Sequence, residues 1–264
     1  AKAGANALRI NPGNIGGKNK IAAVVACAKD HGIPIRIGVN AGSLEKTLLK
    51  KYGGATAEAM VESAFSHIDL LLAHNFNQIK ISLKASDVFR TVEAYRLLSS
   101  QCDYPLHVGV TEAGSLYSGI TKSALGIGML LAEGIGDTIR VSLTRDPTEE
   151  VRVGYDILKS LALRQRGPEI ISCPTCGRCD LDLVDIVDQV EKALAYLKTP
   201  IKIAVMGCVV NGPGEAREAD IGIAGGKGLG ILFKKGKIIK KIPQNHLVSV
   251  LVQEVQRTTG ELPN

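Results

Sequence analysis

The first 165 residues alternate short β-rich runs with longer amphipathic stretches, and this order constrains the fold more than any other feature. Each strand candidate is followed by a stretch with helical periodicity. The predicted strands are Ala7–Asn11, Pro34–Asn40, Ile79–Lys84, Pro105–Glu112 and Thr138–Leu143. The predicted helices are about Lys18–His31, Thr56–Asn75, Ser86–Gln101, Ser118–Glu133 and Pro147–Leu163. This alternation predicts an α/β fold with parallel strands covered by helices.

Five βα units are too few for a closed eight-stranded barrel. A dinucleotide-binding fold is disfavoured, because no strand is followed by a complete Gly-x-Gly-x-x-Gly motif with a downstream acid. We therefore predict the last five βα units of a TIM (β/α)8 barrel and expect three further units upstream of Ala1. A chain without those units is not expected to close its barrel or to be active by itself.

Basic and polar side chains recur inside the predicted strands. Residues two apart on a strand point to the same side. The residues that share a side are Arg9 with Asn11, Arg36 with Asn40, Lys80 with Lys84, and Arg140 with Ser142. Each set reaches the carboxyl end of its strand, where barrel enzymes build their sites. Since arginine suits phosphate oxygens, these strand ends predict a site for a multiply charged anion.

Glu112 would be the lone carboxylate at this cationic mouth. It is a candidate proton donor or hydroxyl binder. The alternative for any single basic position is an outward side chain paired with a helix acid. For all of these positions together that alternative is weaker, because charged side chains are rarely buried in strands unless they bind a partner or ligand.

The polar segment from Arg164 to Pro168 marks the predicted domain boundary, which gives domains 1–165 and 166–264. The second domain is predicted to be a small α/β domain. Its predicted elements are Glu169–Ser172, Ile201–Met206, Ile221–Ala224, Leu229–Phe233 and Lys237–Ile242 as strands, with Leu181–Leu197 and His246–Thr258 as helices.

Two glycine-containing segments of this domain read as hairpin turns. Gly225–Gly230 lies between short strands rather than before a helix, so a turn is favoured over a phosphate cradle. Five lysines flank Gly236, at positions 234, 235, 237, 240 and 241. They predict a solvated edge hairpin guarded against aggregation. The alternative is a docking patch for an acidic electron carrier.

Four of the six cysteines lie near one another in the sequence, at Cys173, Cys176, Cys179 and Cys208. All four could bind zinc, but Cys-x-x-Cys-x-x-Cys also matches the grip of an iron–sulfur cluster, which the spacing favours. If Glu215 rather than Cys179 completes the set, one iron would have a weak, displaceable oxygen ligand. Cysteines spread in this way do not resemble a secreted disulfide framework, so a reduced, cytoplasmic setting is expected.

The charge of the chain leaves other classes of function open. A net charge of +6 permits nucleic acid as well as a small anion, but aromatic residues make up only 4% of the chain. Because the chain is basic, one rival function is a zinc-stabilised nucleic-acid-binding module. Another is a non-redox phosphosugar or pterin-type barrel enzyme. No apolar run has the roughly 18 residues that a membrane span needs.

Seven motifs, which run through nearly the whole chain, resemble the 4-hydroxy-3-methylbut-2-enyl diphosphate synthase family. They are Leu8-Arg-Ile-Asn-Pro-Gly-Asn14, Pro34-Ile-Arg-Ile-Gly-Val-Asn-Ala-Gly-Ser-Leu44, Lys84-Ala-Ser-Asp87, Thr111-Glu-Ala-Gly114, Glu133-Gly-Ile-Gly-Asp-Thr-Ile-Arg-Val-Ser142, Cys173-Pro-Thr-Cys176 and Gly207-Cys-Val-Val-Asn-Gly-Pro-Gly-Glu215. The resemblance implies a barrel joined to a cluster domain. It also implies a homodimer in which the cluster domain of one subunit closes over the barrel of the other, and flavodoxin or ferredoxin as electron donor.

The resemblance further implies the reaction and the roles of individual residues. The substrate would be 2-C-methyl-D-erythritol 2,4-cyclodiphosphate, reductively opened with loss of water. A 4Fe–4S cluster would be held by Cys173, Cys176, Cys208 and Glu215, and Glu112 and Glu215 would be the catalytic residues. The substrate-binding residues would be Arg9, Asn11, Arg36, Asn40, Lys84, Glu112, Arg140 and Ser142. The family pattern has no cysteine at the position of Cys179. The alternative that Cys179 replaces Glu215 as the fourth ligand therefore remains open.

Overall fold

The computed structural model describes residues 1–11, 14–179, 181–210, 212–226 and 228–263, without the side chains of Lys18, Pro213 and Glu215. The chain divides into two compact units, Ala1–Arg164 and Gln165–Asn264.

The first unit is an α/β unit with a parallel sheet. Its strands are β1 (Leu8–Ile10), β2 (Ile35–Asn40), β3 (Ile79–Lys84), β4 (His107–Val108) and β5 (Thr138–Ile139). Its helices are α1 (Lys18–Asp30), α2 (Lys46–Tyr52), α3 (Ala57–Ala73), α4 (Val88–Ser99), α5 (Leu116–Ala132) and α6 (Pro147–Ser160). Strands β1, β2 and β3 pair in that order, β4 pairs with β5, and a parallel bridge between Ile81 and Leu106 joins the two groups. The described residues thus form an open sheet and no closed barrel.

One face of this sheet is apolar and is covered by the helices. Ile35, Ile37, Ile81 and Leu83 are almost completely buried in the core of the unit. Helices α3, α4 and α6 begin where the side chains of Thr56, Asp87 and Asp146 accept hydrogen bonds from the first turn. Since neighbours along a strand alternate between faces, the intervening residues point to the opposite face.

The sequence predicted longer β4 and β5 strands, and those bounds were wrong. The ladder is interrupted after Val108, although the backbone N–H of Arg140 still donates to the Val108 carbonyl at 3.0 Å. A Cβ added at Gly109 would lie only 2.3 Å from the carbonyl oxygen of Arg140. The two segments therefore approach each other too closely there for a regular pair with side chains.

Helix α2 was not predicted. It follows Glu45 and ends at Gly53, which has a left-handed φ of 70°. The stop signal was present in the sequence, but seven residues give too short a periodic pattern to stand out.

The second unit has a mixed sheet. Its strands are β6 (Pro168–Ser172), β7 (Ile201–Met206), β8 (Ile221–Ala224), β9 (Leu229–Lys234) and β10 (Lys237–Pro243). Its helices are α7 (Leu183–Leu194), the short α8 (Gly212–Glu215) and α9 (Leu247–Thr259). The order is β10-β9-β8-β7-β6, in which β6, β7 and β8 are parallel and β8–β9 and β9–β10 are antiparallel. Both hairpin predictions are confirmed, although Lys227 lies outside the described residues.

Among the described helices, none has the length and apolar character needed to cross a membrane.

Candidate functional site

The polar face of the first sheet gathers basic side chains from successive strands. Arg9 of β1 lies opposite Arg36 of β2, which lies opposite Lys80 of β3. One layer further towards the carboxyl ends, Asn40 lies opposite Lys84. Side chains paired across a parallel ladder point to the same side, so these residues share the face opposite the helices.

The two arginines are held by neutral oxygens rather than by carboxylates. The Arg9 guanidinium donates to the Gly38 carbonyl at 2.8 Å, and that of Arg36 donates to Ser82 Oγ at 3.0 Å. A Cβ at Gly38 would lie 2.2 Å from Arg9 Nε, so the glycine leaves the space that Arg9 occupies. Burial lowers the pKa of both arginines, and Arg9 lowers that of Arg36 further. Their positive charges are therefore not neutralised by these hydrogen bonds.

Lys84 is the most deeply placed cation of this face, with only 6% of its surface exposed. Its Nζ lies 3.2 Å from the position that a Cβ at Gly109 would occupy. Burial, together with the charges of Arg36, Arg140 and Arg9, lowers the pKa of Lys84 to about 7. A bound anion would strongly stabilise the charged form of Lys84, because it offsets both the burial of the ammonium and its repulsion by the arginines.

The structure also places His107, which no sequence motif singled out, on the polar face. Its Nδ1 lies 2.9 Å from Oγ1 of Thr138, the residue opposite it on β5. Burial lowers the pKa of His107 to about 3, with Lys84 as the next largest cause. The imidazole is therefore neutral at physiological pH. The same two-residue spacing that identified Lys84 and Arg140 could have found it, two positions before Gly109.

Tyr95 of α4 fixes the strands beneath this face. Its hydroxyl donates to the His107 carbonyl at 2.6 Å and accepts from the Leu83 backbone N–H at 3.0 Å. Both strands that carry Lys84 and His107 thus depend on one fully buried phenol.

The remaining predicted residues lie around this group. Arg140 is exposed and its Nη2 lies 4.0 Å from Glu150 Oε1. Asn11 donates to Ser43 Oγ at 3.0 Å, and Ser142 is half-buried just beyond β5. Glu112 is exposed beyond β4 and has a φ of 52°, which only a minority of residues with a side chain adopt.

The predicted metal ligands of the second unit lie at the carboxyl ends of neighbouring strands. Cys173 directly follows β6, and Cys208 follows β7 after Gly207. The Gly207 backbone N–H donates to Cys173 Sγ at 3.2 Å, and Cys179 Sγ lies 2.6 Å from where a Cβ of Gly207 would be. All of these cysteines are free thiols, and Cys176 is exposed.

The predicted ligands Cys173, Cys176 and Cys208 lie on two adjacent loops. Their thiols fit an iron–sulfur cluster by donor chemistry, since clusters are held by cysteine thiolates. The hydrogen bond from the Gly207 backbone N–H to Cys173 Sγ is also of the kind that orients a ligating sulfur and adjusts its basicity. Within the described residues, however, no group of three or more His, Cys, Asp or Glu side chains is close enough to hold a metal ion. The side chain of Glu215 lies outside the described residues, so the full ligand set stays a prediction.

The lysine hairpin lies at the other end of this sheet. Strand β9 runs antiparallel to β8, so the turn at Lys235 and Gly236 is opposite the end that carries Cys208. Lys234 forms a 2.6 Å salt bridge with Glu254 of α9. This position favours the guarded-edge interpretation over a docking patch for an electron carrier.

The comparisons with known proteins cover both units. A family model described as "GcpE TIM-barrel domain" matches residues 1–155, and one described as "GcpE protein C-terminal domain" matches residues 169–257. A protein of Geobacter sulfurreducens is 60% identical over 258 residues, which are 98% of this chain and 73% of the relative. One of Ruminiclostridium cellulolyticum is 61% identical over 254 residues, 96% of this chain and 72% of the relative. Both relatives carry the name 4-hydroxy-3-methylbut-2-en-1-yl diphosphate synthase (flavodoxin). The chain therefore belongs to the GcpE family.

Proposed function

We propose that this chain acts as a 4-hydroxy-3-methylbut-2-enyl diphosphate synthase of isoprenoid biosynthesis. The reaction is the two-electron reductive opening of 2-C-methyl-D-erythritol 2,4-cyclodiphosphate with loss of one water. The relatives' shared name supports the activity. The single structural observation that supports it most is the buried Lys84, surrounded by Arg9, Arg36 and Arg140 without a neutralising carboxylate of comparable effect.

The polar face of the first unit would bind the diphosphate. Arg9, Arg36, Lys84 and Arg140 would donate to its oxygens, because charge-assisted hydrogen bonds to phosphate are roughly twice as strong as those between neutral groups. The neutral His107 would add a hydrogen bond without adding charge. Asn11, Asn40 and Ser142 would orient the hydroxyl groups of the carbon skeleton.

Glu112 would supply the proton that the departing water requires. It lies on the loop after β4, on the side of the sheet's carboxyl ends, and its side chain is exposed. A proton donor must lie within hydrogen-bonding reach of the leaving oxygen in the substrate complex. The positive φ of Glu112 is an unfavourable backbone conformation, which persists only where the surrounding structure imposes it.

The second unit would hold a 4Fe–4S cluster through Cys173, Cys176, Cys208 and Glu215. When bound, such a cluster would supply the two electrons of the reduction. Gly207 contributes by its lack of a side chain, because the space next to its Cα is taken by the Cys179 thiol. Its N–H would stabilise the thiolate of Cys173.

The domain roles and partners belong to the same proposal. Residues 1–165 would form five βα units of a TIM-barrel substrate domain, and residues 166–264 the cluster domain. The name of the relatives supports flavodoxin as electron donor. Free cysteines agree with a reducing compartment such as the cytoplasm. A homodimer is expected from the family resemblance, and sedimentation of the purified chain would test it.

Anaerobic turnover tests the proposed activity. The cluster-loaded chain, reduced flavodoxin and the cyclic diphosphate are expected to yield the allylic diphosphate, detected by mass spectrometry. Glu112→Gln, which keeps the shape but cannot donate a carboxylic proton, should bind the substrate and lose most turnover. A loaded protein that binds the cyclic diphosphate but yields only unreduced hydrolysis products would contradict the proposal.

A further inference from the structure

The loop after β6 carries one thiol more than the proposed ligand set uses. We propose that Cys176 and Cys179 form a reversible disulfide that removes Cys176 from the ligand set while the cluster is absent. This inference rests on the proposed function only in that Cys176 is taken as a ligand. The disulfide itself follows from the geometry of the loop.

The two cysteines occupy the ends of a tight turn. The backbone N–H of Cys179 donates to the carbonyl of Cys176 at 2.9 Å, and Gly177 and Arg178 form the turn between them. The ends of such a turn have Cα atoms less than about 7 Å apart. Disulfides need a Cα separation of roughly 4.4–6.8 Å. The turn therefore places the two Cα atoms at about the separation that a disulfide bond requires.

The thiols of the loop differ in their surroundings. Cys176 is exposed, whereas Cys179 is half-buried and donates to the Leu181 carbonyl at 3.4 Å. Cys173 accepts the N–H of Gly207 at the end of β7. An exposed thiol with a resolving thiol beside it is the arrangement of reversible oxidation sites. Cys176 is thus the thiol that meets an oxidant first, and Cys179 is its partner through the turn.

The reaction needs a low-molecular-weight disulfide as oxidant, such as oxidised glutathione. The Cys176 thiolate attacks one sulfur, which forms a mixed disulfide and releases one thiolate that takes up a proton. Cys179 loses its proton to solvent and attacks Cys176 Sγ, and the second small thiol leaves. Two protein thiols are oxidised and one small disulfide is reduced to two thiols. A dithiol reverses the reaction.

Thiol mapping of the full chain tests the proposal. The reduced, cluster-free chain is treated anaerobically with oxidised glutathione, alkylated and digested with trypsin, which cleaves after Arg178. A Cys176–Cys179 bond then joins peptides 167–178 and 179–192. The joined pair should persist in Cys173→Ser and vanish in Cys176→Ser. In Cys179→Ser, Cys176 should instead keep a stable glutathione adduct. Cys102→Ser serves as a matched control and should behave as the wild type.

The consequence for the cluster gives a second readout. The oxidised chain should take up several-fold less iron and sulfide than the reduced chain, and a dithiol should restore the uptake. A joined pair that vanishes in Cys173→Ser, or Cys176 recovered as a free thiol or glutathione adduct in the wild type, would overturn the proposal. If the reduced chain takes up no cluster, the proposed function fails, but the disulfide mapping still stands or falls by itself.

Discussion

Replacement of Lys84 by Met is expected to make the first unit more stable and to weaken its binding of diphosphate. The side chain is 6% exposed, and burial together with three arginines lowers its pKa from 10.5 to about 7. Met fills a similar volume without a charge, so it removes the unfavourable burial and the repulsion. The cation is thus expected to reduce stability in the free protein and to contribute only when an anion is bound.

The magnitude follows from the two pKa values. A difference of roughly 3.5 pH units, at about 1.36 kcal/mol per unit, gives an upper limit of ~5 kcal/mol. Relaxation of the protein reduces this, and we expect Lys84→Met to raise the free energy of unfolding by about 2–4 kcal/mol below pH 7. Between pH 7 and 10.5 the unfolded chain binds this proton and the folded chain does not. The stability of the wild type therefore rises with pH in this window, and the advantage of the variant shrinks.

Urea unfolding followed by circular dichroism measures the effect at about pH 6 and about pH 9. Lys80→Met is the matched control, because Lys80 is a half-buried lysine on the same face of the same strand. Added inorganic diphosphate should raise the unfolding midpoint of the wild type more than that of Lys84→Met. A variant less stable than the wild type near pH 6, or a difference that does not change with pH, would refute the reasoning.

Three further predictions concern backbone approach, strand support and the metal site. Gly109→Ala should lower the free energy of unfolding by about 1–3 kcal/mol and weaken diphosphate binding, because the added Cβ would lie 2.3 Å from a carbonyl oxygen. Gly128→Ala in α5 is the control: its Cβ meets open space, so the variant should be neutral or slightly more stable in the same urea unfolding assay. Tyr95→Phe leaves a buried backbone N–H and a carbonyl without their partner and should cost about 1–3 kcal/mol in urea unfolding; an unchanged midpoint would contradict this role. Cys208→Ser should abolish the visible absorption of the reconstituted cluster, whereas Glu215→Ala should keep the absorption and lose most turnover; full turnover in Glu215→Ala would favour Cys179 as the ligand.

The sequence predicted those features that depend on local periodicity. The bounds of β3 as Ile79–Lys84 and of β7 as Ile201–Met206 are confirmed, because both are short runs with β-branched residues at alternate positions and turn residues on either side. The two-residue spacing that placed Lys80 and Lys84 on one side is a property of any strand. Such features need no knowledge of distant contacts.

The features that escaped prediction depend on distant contacts. The lowered pKa values of Lys84 and His107 result first from burial and then from basic residues on other strands, which a strand considered by itself does not reveal. Likewise, the hydroxyl of Tyr95 joins β3 to β4 from a helix, and its role follows only from the packing of α4. Gly109 was unremarkable in the sequence because the carbonyl that requires it belongs to another strand.

Calorimetric titration of the chain with the cyclic diphosphate tests the central claim most directly, namely that the polar face of the first sheet binds the substrate's diphosphate. Loss of one charge-assisted contact costs about 1.5–3 kcal/mol, so Arg36→Met and Lys84→Met should each weaken binding by roughly 10- to 100-fold. The Gly128→Ala control should bind as the wild type does. Equal affinity in the wild type and both variants would contradict the claim.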